Sequence, residues 1–327
     1  MINIGILGAG IIAGTMAETI TSMMKAGNKD VCLYAVSSRS KDKAQSFAEK
    51  WNIPHAFGSY EAMLADESLD LVYIATPHSH HAQHIELCLN NGKHILCEKA
   101  FTVNAEQART VCALAKEKKL LLAEAIWTRY QPMRDIINET LASGIVGSPR
   151  MLTANLGYSM RWKERIVKPE LAGGALLDVG VYAINFACMV FGIPSEIKSY
   201  MLKNDAGVDM QDSMTLVYPD KLAVLCSSAE NVSDRYGIIH CDNGFVQVEN
   251  INNPQKLTVY DASYRVIKEL PCPKQFTGYE YEVQECCDTI KAGCLECPSM
   301  PHADTIKIME LMDTIRSQNN LVYPFEK

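Results

Sequence analysis

The sequence predicts an α/β protein in which a doubly wound parallel sheet is followed by an α+β domain with a large, mostly antiparallel sheet. Over the first 125 residues, short apolar runs alternate with helical patterns, which is typical of repeated βα units. From about residue 150, alternating segments are separated by turn signals such as Asp242-Asn243-Gly244, which predicts antiparallel strands. The predicted domains are residues 1–125 and 126–327.

The elements of the first domain follow from apolar runs, helical periodicity and glycine stop signals. Its strands are predicted at Ile2–Leu7, Val31–Ser37, Ile53–Phe57, Leu69–Ala75, His94–Cys97 and Leu120–Ala123. Its helices are predicted from Gly10 to about Asn28 and over Lys41–Trp51, Tyr60–Leu64, Ala82–Asn91 and Asn104–Lys118.

In the second domain a helix is predicted over Met133–Ser143. Strands are predicted at 150–158, 195–203, 213–218, 222–230, 234–240, 244–249, 256–260 and 264–269. Helices near 279–292 and 302–317 are expected to end the fold.

Composition excludes several classes of protein. The net charge of −7 argues against a nucleic-acid partner and against binding at a membrane surface. No apolar run approaches the roughly 18 residues that span a bilayer, and no signal peptide is recognisable. The 12 cysteines are therefore expected to be reduced thiols in a cytoplasmic protein.

The stretch after the first strand, Gly8-Ala9-Gly10-Ile11-Ile12-Ala13, fits a G-x-G-x-x-[GA] turn between a strand and a helix. Glycines there permit a tight turn and a close approach of backbone to a pyrophosphate, which the helix N-terminus attracts. A purely structural turn is the alternative. The β-α-β context favours a dinucleotide site of the Rossmann type, with Gly8, Ala9, Gly10, Ile11 and Ile12 as cofactor-binding residues.

The second strand ends without the acidic residue that usually holds the ribose 2′-hydroxyl of NAD. The sequence there is Ser38-Arg39-Ser40, and hydroxyls with a guanidinium suit a 2′-phosphate. The alternative is that Arg39 is an ordinary solvated surface residue. We therefore expect NADP rather than NAD, with Ser38 and Arg39 as binding residues.

Two more strand ends of the first domain carry polar residues. Thr76-Pro77-His78 follows the fourth strand and Glu98-Lys99 follows the fifth. Ligands of open α/β sheets bind beyond the carboxyl ends of the strands, so these residues are expected to meet Gly8 at one crevice, with His78 beside the nicotinamide. The nearby His80, His81 and His84 are expected to be solvated or capping residues.

Two clusters resemble metal sites but lack the usual ligand spacing. The histidines from His78 to His84 have no neighbouring carboxylate. The C-x-x-C of Cys294 and Cys297 follows Cys286 and Cys287, and no second C-x-x-C exists. No metal is expected.

The most informative stretch of the second domain is an apolar helix after Gly173-Gly174. Its polar exceptions, Asp178, Tyr182 and Asn185, are spaced i, i+4 and i+7 and share one face. Buried polar groups need partners. This stripe indicates either a structural hydrogen-bond network or the lining of a substrate crevice.

Five ordered motifs together resemble the Gfo/Idh/MocA oxidoreductases. They are Gly8-Ala9-Gly10, Ser38-Arg39-Ser40, the segment from Gly92 to Lys99, Glu124-Ala125-Ile126-Trp127-Thr128-Arg129, and the segment from Gly173 to Tyr182. Ala100 stands where the family has the proline of Glu-Lys-Pro, and Tyr182 stands where it often has histidine. The tyrosine points to the dihydrodiol and NADP-dependent xylose dehydrogenase branch.

The resemblance implies roles for individual residues. Lys99 and Tyr182 would be the catalytic pair and Asp178 a carboxylate that orients the substrate. Trp127, Arg129 and Arg165 would be pocket residues, with Trp127 and Arg129 also near the cofactor. The open sheet of the second domain would join subunits into a homodimer or homotetramer.

The implied reaction is hydride transfer between nicotinamide and a carbinol or carbonyl carbon of a sugar, cyclitol or trans-dihydrodiol. A free tyrosine has a pKa of about 10, and a neighbouring ammonium such as that of Lys99 favours the phenolate. Two alternatives stay open. One is a non-catalytic NADP(H) sensor or scaffold. The other is a sugar–sugar oxidoreductase or redox glycosidase that retains its cofactor.

Overall fold

The computed structural model describes residues 1–326, which divide into two compact units. The first unit comprises Met1–Trp127 and Gln275–Ile306, and the second comprises Thr128–Lys274 and the residues from Lys307 onward. Residues 275–306, which the sequence interpretation assigned to the second domain, therefore belong to the first unit. Side-chain hydrogen bonds join this segment to that unit, with Thr277 bonded to Thr19 at 2.6 Å and Gln284 to Asn28 at 2.7 Å.

The first unit contains a parallel sheet of six strands in the order β3-β2-β1-β4-β5-β6. The strands are β1 Ile2–Leu7, β2 Val31–Ser37, β3 His55–Phe57, β4 Leu71–Ile74, β5 His94–Glu98 and β6 Leu122–Ala125. The helices are α1 Ile11–Lys25, α2 Lys41–Trp51, α3 Tyr60–Leu64, α4 His81–Asn90 and α5 Ala105–Lys118. Both halves wind outward from β1, so the predicted doubly wound parallel sheet is confirmed.

The second unit contains an eight-stranded sheet in the order β14-β13-β12-β11-β7-β10-β9-β8. Its strands are β7 Pro149–Gly157, β8 Glu196–Lys203, β9 Asp209–Val217, β10 Leu222–Ser228, β11 Gly237–Cys241, β12 Gly244–Glu249, β13 Lys256–Asp261 and β14 Val266–Pro271. Only β7 and β10 pair in parallel, so the mostly antiparallel sheet is also confirmed. The helices of this unit are α6 Met133–Ala142, α7 Glu164–Val167 and α8 Val181–Phe191. Two more helices follow β14 in the chain: α9 Glu280–Lys291 belongs to the first unit, and α10 His302–Gln318 begins there and continues in the second.

The apolar helix of the second unit begins as a π-helical turn over Leu176–Gly180 and continues as α8. The stretch Pro169–Phe191 has the length and hydropathy of a membrane span, contrary to the expectation that no run is long enough, but 83% of its apolar window is buried. Helices in the interior of a domain pass the same test. The stretch packs inside its own unit, against β7 and β10.

Candidate functional site

The turn after β1 lies where the strand order of the first sheet reverses, between β2 and β4. Ligands of open α/β sheets bind at this position. Gly8 has a φ of +110°, and a Cβ atom built on it would be 3.0 Å from the carbonyl oxygen of Ala75. A side chain at position 8 would therefore crowd the end of β4.

The amino end of α1 is open. Gly10 precedes the helix, and no side chain in the described part of the chain caps it. Nothing lies within 4 Å of a Cβ built on Gly10, whereas Ala13 is fully buried. Ile11 is 81% exposed. The first amides of the helix have no acceptor within it, so the turn fits the pyrophosphate of a dinucleotide.

No acidic residue follows β2. Ser38 is buried and Arg39 is exposed. The charge of Arg39 helps to lower the pKa values of His80 and His84, although burial is the larger cause for both; that of His84 falls to about 4. Arg39 is therefore close to the segment that follows β4, at the same edge of the sheet.

Two histidines hold the segment after β4. His81 is fully buried, and its ring nitrogens lie 2.8 Å from the carbonyl oxygens of Thr76 and Ala100. His84 is bonded to the Thr76 hydroxyl at 2.9 Å. The expectation that they are solvated or capping residues is wrong for both, because their rings are buried and bond to Thr76 and Ala100 rather than to the end of a helix. His81 thereby ties the loop after β4 to the loop that carries Lys99.

His78 and Pro77 belong to the same segment. Pro77 precedes a 3₁₀ turn over His78–His80, and the buried ring of His78 meets that of His81 edge-on, with centroids 5.7 Å apart. Among residues 1–326, no group of three or more His, Cys, Asp or Glu side chains is arranged to hold a metal ion.

Glu98 and Lys99 end β5. The Glu98 carboxylate is buried and accepts a hydrogen bond from the Tyr73 hydroxyl. Lys99 is half-buried. Burial lowers the pKa of His81, and the positive charge of Lys99 also acts to lower it. The peptide bond between Lys99 and Ala100 is cis. Because the strands are parallel, the residue that follows β5 lies at the same edge of the sheet as the turns after β1 and β4.

Trp127 follows β6 and is stacked on Tyr279, with ring centroids 4.1 Å apart and an angle of 19° between the planes. Tyr279 belongs to the segment 275–306. This stacking is a second reason why that segment lies with the first unit. The indole is predicted to line the pocket, and its position at the carboxyl end of β6 agrees with that role.

In the second unit, the structure brings together two residues predicted to bind substrate. Arg165 donates from Nη1 to Oδ1 of Asp178 at 2.7 Å and from Nη2 to Oδ2 at 3.3 Å. Asp178 is buried within the π-helical turn, whereas the Arg165 side chain is 41% exposed. Tyr182 is buried in the first turn of α8.

The third polar residue of the stripe has a structural partner. Asn185 is fully buried, accepts a hydrogen bond from Nε of Arg129 at 2.9 Å and donates to the carbonyl oxygen of Val181 at 2.9 Å. Arg129, predicted to lie near the cofactor, is itself buried. For Asn185 the structural alternative therefore holds.

Asp209 is a residue that the sequence interpretation did not identify. It begins β9, and its carboxylate accepts a hydrogen bond from the amide of Leu176 at 2.6 Å. Burial raises the pKa of Asp209 to about 6, while hydrogen bonds from backbone amides oppose the rise. The predicted strand began only at residue 213, because the polar residues before it interrupt the apolar pattern.

Comparisons with known proteins cover the whole chain. A family model described as an oxidoreductase family with an NAD-binding Rossmann fold matches residues 2–125, and a GFO/IDH/MocA C-terminal domain matches residues 136–247. Among curated proteins, trans-1,2-dihydrobenzene-1,2-diol dehydrogenase of Mus musculus is 31% identical over 335 residues, covering 99% of this chain and 98% of the relative. The Homo sapiens protein of that name is 31% identical over 332 residues, with the same coverage.

Solved structures show the same fold. A 3-ketoreductase from Actinomadura kijaniata, in complex with TDP-benzene and NADP, has a TM-score of 0.85 at 23% identity, covering 97% of this chain and 98% of its own. UDP-N-acetylglucosamine 3-dehydrogenase from Acidithiobacillus ferrooxidans has a TM-score of 0.78 at 20% identity, covering 97% of each chain.

Proposed function

Because this chain belongs to the Gfo/Idh/MocA family of NAD(P)-dependent oxidoreductases, we propose that its substrate is a sugar, cyclitol or trans-dihydrodiol. The observation that carries the proposal is the full-length likeness, at 31% identity, to a curated dehydrogenase of a trans-diol. The nicotinamide, when bound, supplies or accepts the hydride. The protein binds and orients the cofactor and the substrate, and its side chains move the proton.

The proposed cofactor is NADP. The absence of an acid after β2 and the position of Arg39 support this choice, since a guanidinium pairs with a phosphate and a carboxylate repels it. The solved ketoreductase of the same fold was crystallised with NADP.

The proposed proton-transfer pair is Lys99 and Tyr182. Tyr182 donates a proton to, or takes one from, the reacting oxygen, and the ammonium of Lys99 stabilises the phenolate. Asp178, held by Arg165, orients a substrate hydroxyl. That Lys99 and Tyr182 meet at one nicotinamide ring stays a prediction. We assign four further residues to cofactor binding: Thr76, His78, Glu98 and Trp127.

The experiment is a panel of aldoses, polyols and trans-diols assayed with NADP and with NAD in parallel. Turnover of at least one of these alcohols, with a higher kcat/KM for NADP, is expected. No turnover, together with tight NADP(H) binding, would instead identify a sensor. Absorbance of the freshly purified protein near the nicotinamide band tests for a retained cofactor.

We further propose a cytoplasmic location.

A further inference from the structure

The turn that carries Asp178 has no cap of its own. Its N-terminal flanking residue is Ala175, whose side chain makes no hydrogen bond. The first amides of a helical segment have no acceptor inside it. Ala175 and Leu176 are both fully buried, so water cannot satisfy these amides and another part of the chain must do so.

Asp209 supplies the missing acceptor from a different element. Its Oδ2 accepts from the amide of Leu176 at 2.6 Å. Asp209 is fully buried at the start of β9. The cap is therefore an interaction between the sheet and the helix, and it fixes where the helix begins relative to the sheet.

Gly174 makes room for this carboxylate. A Cβ atom built on Gly174 would be 2.0 Å from Oδ1 of Asp209, and its φ is +121°. The preceding carbonyl, that of Gly173, accepts from the Tyr323 hydroxyl at 2.9 Å. The backbone before the turn is thus held on both sides.

The other end of the turn lies close to the sheet. A Cβ built on Gly180 would be 3.0 Å from Oγ of Ser227. That hydroxyl donates to Oδ2 of Asp212 at 2.7 Å. The π-helical turn, with its wider i→i+5 spacing, is therefore bonded to the sheet at its start and lies close to the sheet at its end. Its rotation sets the directions of Asp178 and Tyr182.

We propose that Asp209 is a positioning residue for the reaction. By accepting the amide of Leu176 at the start of the turn, it fixes the position and rotation at which Asp178 and Tyr182 face the substrate. This inference rests on the proposed function, in which Tyr182 moves the proton.

The test compares Asp209→Ala, which removes the acceptor, with Asp209→Asn, which keeps an oxygen at the same place, since asparagine is a good helix cap. Asp205→Ala and Asp205→Asn are the matched controls, because Asp205 is an exposed aspartate just before β9. Hydrogen exchange of the peptide covering residues 174–182 measures the cap without reference to activity.

For Asp209→Ala we expect faster exchange in that peptide and a kcat roughly 10- to 100-fold lower, since a small misplacement at a reacting centre has effects of this size. KM and the Kd for NADP(H) should change less than about threefold. Asp209→Asn should restore exchange and kcat to within about threefold of the wild type. A purely structural role would lower thermal stability and leave kcat unchanged.

Several outcomes would overturn the inference. These are unchanged exchange in Asp209→Ala, an unchanged kcat despite faster exchange, or an Asp209→Asn variant as impaired as Asp209→Ala.

Tyr182→Phe, measured alongside, separates the positioning role of Asp209 from the proton-transfer role of Tyr182. If it is inactive while Asp209→Ala is fully active, only the positioning role fails; if it keeps full turnover, the proposed proton donor fails and the positioning role with it. Should Asp209→Ala not fold, Asp209→Ser, one bond too short to reach the Leu176 amide, replaces it.

Discussion

Two of the three polar side chains on the apolar helix each accept hydrogen bonds from an arginine. Arg165 binds the Asp178 carboxylate, and Arg129 binds the Asn185 amide. A buried carboxylate needs such a partner, because the free energy of leaving it unpaired is large. Asp178 is thus paired with a partly exposed arginine, whereas the partners of Asn185 are buried.

The proposed catalytic pair leads to a prediction for single residues. Lys99→Met and Tyr182→Phe should each lower kcat by about 10²-fold or more, because general acid–base catalysis contributes rate factors of that order. The Kd for NADP(H), measured by nicotinamide fluorescence, should stay within about threefold, since the pyrophosphate and adenosine contacts are retained. Lys118→Met, at an exposed lysine on α5, is the control. Normal turnover in both variants would contradict the assignment.

Arg39 leads to a second prediction. Arg39→Glu should lower kcat/KM with NADP about 10- to 100-fold and change that with NAD much less, because a carboxylate repels a 2′-phosphate and accepts a bond from a 2′-hydroxyl. Lys29→Glu makes the same change of charge at an exposed residue before the amino end of β2. Equal losses with both cofactors would show that Arg39 does not discriminate between them.

Among the elements, the π-helical turn between Gly174 and α8 is closely surrounded by the second sheet. It meets Asp209 at one end and Ser227 at the other. Such turns inside helices occur often at functional sites. Here the turn carries Asp178 and directly precedes Tyr182, so its geometry decides the direction of both side chains.

A glycine pair tests this constraint. Gly174→Ala should lower the free energy of unfolding by roughly 3 kcal/mol or more, because the methyl group overlaps the Asp209 carboxylate in addition to requiring an unfavourable φ. Gly144→Ala is the control, since Gly144 also has a positive φ, +69°, but nothing lies within 4 Å of its Cβ position. It should lower the free energy by only about 1 to 2 kcal/mol. Urea denaturation at one pH compares the two; equal losses would exclude a steric role for Asp209.

Helices and strands with regular apolar patterns were predicted to within a few residues. α2 and α3 have the predicted bounds, and β2 does as well. β9 was predicted four residues short, because Asp209 and Asp212 interrupt the apolar alternation at its start. Those two carboxylates are buried, and each accepts a hydrogen bond from another element, Asp209 from the Leu176 amide and Asp212 from the Ser227 hydroxyl. A local pattern cannot show such partners.

For the whole molecule, the second sheet carries the surface at which we predict that copies of the chain associate. Outward-facing apolar side chains recur on its neighbouring strands, including Tyr200 at 67% exposure on β8 and Val224 at 39% on β10. The strand register places Lys198, Thr215 and Val224 in one row and Tyr200, Ser213 and Cys226 in the next. An exposed apolar patch of this kind typically marks an interface, and we propose that a second copy covers it.

Val224→Glu tests the proposed association. It should shift the molar mass measured by light scattering after size exclusion toward that of a monomer, because a carboxylate buried at an interface without a partner lowers affinity by several kcal/mol. Met24→Glu, on α1 of the first unit, should leave the mass unchanged. A wild-type monomer at micromolar concentration would contradict the proposal.

The amino-acid sequence by itself determined the order of strands and helices, the Gly8 turn and the candidate residues Lys99, Asp178 and Tyr182. Periodicity and small-residue turns are local properties, which neighbouring residues express without reference to the rest of the chain. Only the tertiary structure decided that His81 joins two loops, that Arg165 holds Asp178, and that Asp209 caps the turn. Each of these contacts satisfies a buried polar group with a partner distant in the chain, and such partners are set by packing.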